Sequence, residues 1–600
     1  MTFYARAMSC LLVVFAMTAG ILALAGGPLV PVWGVAVLAL IELLRRSYPA
    51  SLALALAIGT FFAIELLLLR ATPFLGVGSS LPNLVGWTTF SFFVGVLGLV
   101  RPKPAELVRS RVWLALASAT GVVVFVVGIA LAQVIPGALR LSWAMNGDAV
   151  NAMGFARRML VDGGIDPTST PQPTPLPFAM AAASIEGGRS SVPIGELLEH
   201  DVARTAQVWV FVIALSCLLV GVIVARSVGT ASLRWSVPVV ALASLTFLSW
   251  YVIGVQFDFG FMNSGFGILL LLAAWLAYAG GEDHPLAVLS ALFVVALALL
   301  AVWSPLVICI VGLGLVTVVR DRALITRARR LSLMPPVLAL VVLAAYAVTV
   351  TLPTFVTQSD ALGDNGGFPP IGPGSTLVIT TIVLLVAALT AQSGAARTPA
   401  GAIAVVIGFA VGLGYLLLQR QDADFGWGYY PAKFAWTSSV VIVAIILALS
   451  AQLVSVRPFG RAWKPVVTVL MGAVAASLLW GPVAPRAQFP LLGIARGDET
   501  QVRATEAVFD LAGPQNGKDL LWRTDIGDFW PNTWLLQIDQ LANDPVKIYA
   551  TVPLLSADQV CAIVGELGPE SVIHTSDPAA HADLQATCPN AQYEIVEGEY

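Results

Sequence analysis

Charge is what this sequence has least of. Only 11% of its 600 residues are Asp, Glu, Lys or Arg, against about 25% in an ordinary soluble domain. So few charges cannot dress a water-facing surface when 58% of the chain is hydrophobic. Lysine is the rarest charged type, with five residues beside 27 arginines, and no basic run extends beyond a single loop. With a net charge of −3, nothing here offers a nucleic acid an electrostatic footprint, and none is expected as a partner. Histidine occurs four times, at His200, His284, His574 and His581, scattered rather than at zinc-ligand spacing. No P-loop or other nucleotide fingerprint occurs, which leaves cytoplasmic nucleotide chemistry without support.

Cysteine is also scarce, five residues in all. Cys10, Cys217 and Cys309 sit inside apolar stretches and read as small buried hydrophobes. Cys561 and Cys588 stand alone as a pair in the polar C-terminal region, where a disulfide is expected if that region faces an oxidising compartment.

What the sequence has in abundance is apolar runs of about 17–22 residues, long enough to cross a bilayer core. They fall near 8–25, 27–44, 49–69, 86–100, 112–135, 206–225, 235–255 and 260–279. Further ones lie near 285–302, 304–319, 332–352, 375–391, 401–418, 435–454 and 465–482. The expected fold is therefore a polytopic α-helical membrane protein of about fifteen spans. The N-terminus has the layout of a signal peptide, Arg6 before an apolar stretch and small residues. It runs on directly into further apolar stretches, so an uncleaved first helix is expected.

Orientation follows from where the cations fall. With the N-terminus inside, the inside segments hold Arg6, Arg45, Arg46, four basic residues in 101–111, Arg226, Arg234, five in 320–330, Arg397 and three in 457–464. The short outside loops hold only Arg70, Arg420 and Lys433. The alternation keeps its phase through every span and puts the C-terminus outside.

Three regions result: N-terminal transmembrane helices in 1–111, a transmembrane core in 112–484 with a large extracytoplasmic loop at 136–205, and an extracytoplasmic soluble domain in 485–600. In the last, DLLWRT, VKIYATV, SVIHTS and YEIVEG read as short buried strands. Helical stretches near 532–543, 556–567 and 577–586 separate them, which predicts a small α/β unit with a partly parallel sheet.

The chemistry-bearing residues crowd the outer side. The 136–205 loop carries Asp148 beyond the end of the fifth span. After it, Ala149, Ala152, Phe155, Ala156 and Met159 recur at helical spacing, with Arg157 and Arg158 beside them. This predicts an amphipathic helix on the membrane surface, followed by a Pro-rich stretch. Asp148 is also what a helix N-cap looks like. A carboxylate so placed is equally suited to deprotonate an acceptor hydroxyl while a donor's lipid stays in the bilayer.

That layout resembles the GT-C glycosyltransferases, which place a catalytic Asp in such a loop and use polyprenyl-phosphate sugars. The segment PTPLPFAMAA is similar to the second half of that loop in actinobacterial arabinofuranosyltransferases. The resemblance covers 112–482 and departs from the family in having four spans ahead of the one that carries the loop. It implies a GT-C-like core, Asp148 as general base, and a C-terminal domain that binds acceptor carbohydrate.

A second cluster lies in QRQDADFGWGYYPAKFAWTSS, before the fourteenth span. One reading is an interfacial aromatic belt with a snorkelling lysine. The other is a donor site: Lys433 and Arg420, with Arg157 and Arg158 from the loop, neutralise a phosphate, while Trp427, Tyr429 and Tyr430 stack on sugar. Asp422 and Asp424 offer a divalent cation a place, although no metal or other cofactor is required. Gln256, Asp258 and Asn263 at one turn, and the segment 358–370, read as solvated loop.

The function expected is transfer of a sugar from a polyprenyl-phosphate donor to a cell-envelope glycan or lipid. The alternative is a transporter or lipid flippase of the envelope. Against it, few charges lie within the spans, where a transporter buries its polar site at the midplane.

Overall fold

In hydrocarbon, every backbone N–H and C=O must be paired within its own segment, so long apolar runs become helices. The computed structural model describes residues 2–102, 109–166, 174–228, 233–358, 371–392, 396–423, 426–456, 491, 494, 499–512, 518–527, 529–539 and 556–598. Among these residues, twelve helical runs are long and apolar enough to cross a membrane.

Fourteen of the fifteen apolar stretches coincide with helix, and the fifteenth, 465–482, lies outside the described residues. Two details correct the expected count. Val30–Leu44 is an apolar helix of only 15 residues, about 22 Å at 1.5 Å per residue, short of the roughly 30 Å hydrocarbon core. The run Pro285–Arg320 is continuous in hydropathy but divided by a 3₁₀ turn at Ser304–Val307, where Pro305 cannot donate a backbone bond.

Contacts between remote segments sort into two ends. At one end Arg226 donates to the Ala279 carbonyl at 2.8 Å. There too Tyr278 donates to the Arg397 carbonyl at 2.8 Å, and Arg397 pairs with Asp321 at 2.7 Å. Pro285 and Asp321 therefore share that end, and the helices Pro285–Trp303 and Ile308–Arg320 form a hairpin about the Ser304–Val307 turn. At the other end Arg204 donates to the Gly26 carbonyl at 2.6 Å, and Ser79 to Glu186 at 2.9 Å. Ile165 N–H reaches the Leu69 carbonyl at 2.9 Å and Trp427 the Ile371 carbonyl at 2.8 Å. These are the two groups of segments that the arginine alternation separates.

The large loop is not a lid lying on a surface. Its first helix, Ala149–Val161, buries Ala149, Ala152, Met153, Ala156 and Met159 but leaves Phe155 exposed, against Phe178. Its second, Pro175–Glu186, is buried along Pro175–Ile185, so PTPLPFAMAA opens a core helix. Small residues explain this: alanines at 179 and 181–183 let neighbouring helices approach closely.

The C-terminal region holds a three-stranded sheet, β1 (Asp519–Leu521), β2 (Ser571–Thr575) and β3 (Tyr593–Glu597), in the order β1-β2-β3. Both pairings are parallel, so the described sheet is wholly rather than partly parallel. VKIYATV falls outside the described residues. Helices Phe529–Asp539, Ala557–Leu567 and Ala580–Thr587 stand where helices are expected. A capping box between Ser556 and Gln559 starts the second of them.

Cys561 and Cys588 are disulfide-bonded, 27 residues apart in sequence, with Cα atoms 5.9 Å apart. Closing a loop of that length contributes roughly 3–4 kcal/mol. Replacing both cysteines by serine is expected to lower the domain's unfolding free energy by about that much. Denaturant unfolding followed by tryptophan fluorescence checks it; an unchanged midpoint would remove the bridge from any stabilising role.

Candidate active site

Two glycines let the large loop touch the membrane core backbone to backbone. Gly147 has φ +53° and Gly260 φ +68°. A Cβ on Gly147 would fall 2.4 Å from the Phe259 carbonyl oxygen, and one on Gly260 2.2 Å from that of Asn146. Only glycine permits both the conformation and the approach. Asp148 N–H then donates to the Phe259 carbonyl at 2.9 Å. The turn that receives it is rigid: Gln256 is fully buried and accepts from the Trp209 indole at 3.2 Å, and Asp258 accepts from Trp250 at 3.1 Å. This corrects the expectation that Gln256 and Asp258 sit in solvated loop.

Asp148 stands at the N-cap position of Ala149–Val161, yet its backbone is helical (φ −64°, ψ −3°) and its carboxylate makes no capping bond. It turns instead to residues nearly three hundred positions on. Tyr429 donates its hydroxyl hydrogen to Asp148 Oδ2. Lys433 Nζ lies 3.3 Å from the same oxygen and 2.9 Å from the Tyr429 hydroxyl. Tyr429 and Lys433 are i and i+4 on the helix Tyr429–Val456, which puts both on one face. The ammonium also sits 4.0 Å over the Phe261 ring and 5.0 Å over the Tyr429 ring. Such faces offset part of the cost of desolvating the cation.

Exposure divides the roles. The Lys433 side chain is 6% exposed and that of Asp148 39%. The carboxylate is the more open member of the pair, and the cation is packed beside it against the Phe261 and Tyr429 rings. An ionised carboxylate so supported can accept a proton from a hydroxyl placed above it. Surface snorkelling does not describe Lys433, whose head group is buried and bonded.

The other expected residues are distributed differently. Tyr430 meets Tyr429 edge-on at 5.0 Å, and Trp427 bonds the Ile371 carbonyl. Arg420 is buried with its guanidinium against Gly428, where a Cβ would fall 2.3 Å from Cζ. It shapes the segment that delivers Tyr429. Arg157 and Arg158 lie nine and ten residues along the helix from Asp148, about 14 Å away at 1.5 Å per residue. Arg157 Nε is bonded to Asp201 at 2.8 Å, and Arg158 is exposed. Their assignment to a phosphate beside Asp148 is therefore corrected: the helix carries them away from it. Of the proposed cation pair, Asp422 is exposed and Asp424 lies outside the described residues. Among the described residues, no group of three or more His, Cys, Asp or Glu is placed to hold a metal ion.

Two carboxylates to which the sequence assigned no role are fully buried. Asp201, fully buried, gathers Arg157, Arg189 and His200 at the junction of the loop with the helix Leu197–Val228. Glu65, also fully buried, accepts from the Trp87 indole within the helix Ala50–Leu75. Its signal was visible as a lone acid in FFAIELLLLR, since a carboxylate inside a span is costly and needs a reason. No protein-family model matches the chain, and no curated protein matches it either.

Proposed function

We propose that the protein is a GT-C-like membrane glycosyltransferase that moves a sugar from a polyprenyl-phosphate donor to an envelope glycan or lipid. The observation that carries the reading is the meeting of Asp148 with Tyr429 and Lys433 at one end of the helices. On this reading that end is extracytoplasmic, because the arginine-rich segments collect at the opposite one. Asp148 takes the proton of the acceptor hydroxyl as its oxygen bonds to the anomeric carbon. The bond from that carbon to the phosphate oxygen breaks, and the polyprenyl phosphate leaves with the electron pair. Lys433 holds the same carboxylate oxygen at 3.3 Å and supplies the positive charge beside the departing phosphate.

The test is transfer from defined polyprenyl-phosphate sugars by purified protein, with released polyprenyl phosphate as the readout. Lys433→Ala is expected to weaken apparent donor affinity by roughly thirtyfold, the loss of a charge-assisted contact of about 2 kcal/mol. An unchanged affinity would return Lys433 to a structural part.

A transporter or lipid flippase is the second reading. Glu65, enclosed by Trp87 and the neighbouring Asn83–Trp33 pair inside the bundle, is the observation that favours it. Glu65→Gln protein that lost substrate movement across vesicles, while Asp148→Asn protein kept it, would decide for that reading.

A further inference from the structure

The loop that carries Asp148 is gripped from two sides. The core side is the Phe259–Gly260 contact. The other side is the C-terminal domain. On the helix Phe529–Asp539, Trp530 Nε1 and Trp534 Nε1 both donate to the Met145 carbonyl, at 3.2 and 2.8 Å. Gln501 donates to the Asn146 side-chain oxygen at 3.2 Å, and Leu139 N–H to the Ile494 carbonyl at 2.9 Å. Met145 is fully buried and Trp534 is 1% exposed, so this is packed interior rather than glancing contact.

We infer that the C-terminal domain is a built part of the Asp148 site, with Trp530 and Trp534 as positioning residues for the segment 145–148. A carbonyl with two lone pairs accepts two indoles, which fixes the peptide plane three residues before Asp148. With Gly147 in the left-handed region, that plane sets the direction in which the Asp148 side chain leaves the backbone. A domain that served only to bind carbohydrate at a distance would need no such bonds. The inference rests on the glycosyltransferase reading only in treating Asp148 as the reacting group.

The test needs no turnover. In full-length protein carrying Cys10→Ser, to remove the exposed thiol, Asp148→Cys provides a reporter for a charged thiol reagent. Adding Trp530→Phe with Trp534→Phe keeps an aromatic ring at each position while removing both indole N–H donors. Modification at position 148 should then quicken by about tenfold, as two hydrogen bonds holding the segment are lost. The same reagent at Gly372→Cys, an exposed position with open space around it, should react at an unchanged rate. If the paired replacement does not fold, Trp530→Phe alone should give about a threefold rise. An unchanged rate at 148 in folded protein overturns the positioning and leaves the transfer reading intact. Failure of the transfer assay does the reverse.

Discussion

Asp148→Asn is expected to lower sugar transfer by roughly 10²–10⁴-fold while the protein stays folded. The asparagine keeps the side-chain shape and still accepts the Tyr429 hydrogen bond, but it cannot take a proton. A capping role predicts a silent substitution, because Asn caps about as well as Asp. That role is already removed by geometry, since the carboxylate caps nothing. A cost in stability remains, because the buried Lys433 loses its counter-charge. With Asp148 39% exposed to screening solvent, that cost should stay on the order of 1 kcal/mol. The double variant Asp148→Asn with Lys433→Met removes the unpaired cation and should recover stability without recovering transfer. Turnover and thermal unfolding, measured on the same preparations, separate the two effects. Wild-type turnover by the asparagine variant would end the case for Asp148 as base.

The largest effect on stability is expected at Asp201. Its fully buried carboxylate accepts from Arg157 Nε at 2.8 Å and from Arg189 Nε and Nη2 at 3.1 and 3.2 Å. His200 Nδ1 lies 3.2 Å away. Arg157 belongs to the helix Ala149–Val161 and Arg189 to the turn after Pro175–Glu186, so one charge ties three parts of the large loop. Asp201→Asn removes the buried charge that the Arg157 and Arg189 guanidinium groups share. Breaking a buried pair costs about 3–5 kcal/mol. The arginine side chains are 15% and 29% exposed, which moves the expectation to the lower part of that range. Arg189→Ala should cost far less, because Arg157 still neutralises the carboxylate. Thermal unfolding in detergent is the measurement. An Asp201→Asn midpoint equal to that of the parent would show that the cluster is solvated and contributes little.

Much of this architecture was legible because its causes are local or additive. Hydropathy over a window reports whether a segment can leave water, and fourteen of the fifteen stretches are indeed helical. The alternation of arginines reports which ends lie together, and the contacts of Arg226, Arg397 and Asp321 gather as it requires. The pairing of Cys561 with Cys588 was readable because the polar domain holds no other cysteine. Window hydropathy is blind to length at a turn, however, so Val30–Leu44 was counted as a full span.

The sequence by itself determined the class of protein, the two-ended order of its helices and the residue types able to do chemistry at one end. Which of those residues act together was decided only by the tertiary structure. Asp148 and Lys433 are joined by packing between segments 285 residues apart, through glycine contacts at 147 and 260 that no periodicity announces. Arg157 stands only nine residues from Asp148 in sequence, but a rise of about 1.5 Å per residue carries it down the helix to Asp201. Side-chain partnership depends on where two separate helices meet. A one-dimensional pattern records the face a residue occupies, while the neighbour across that face is chosen by the whole fold.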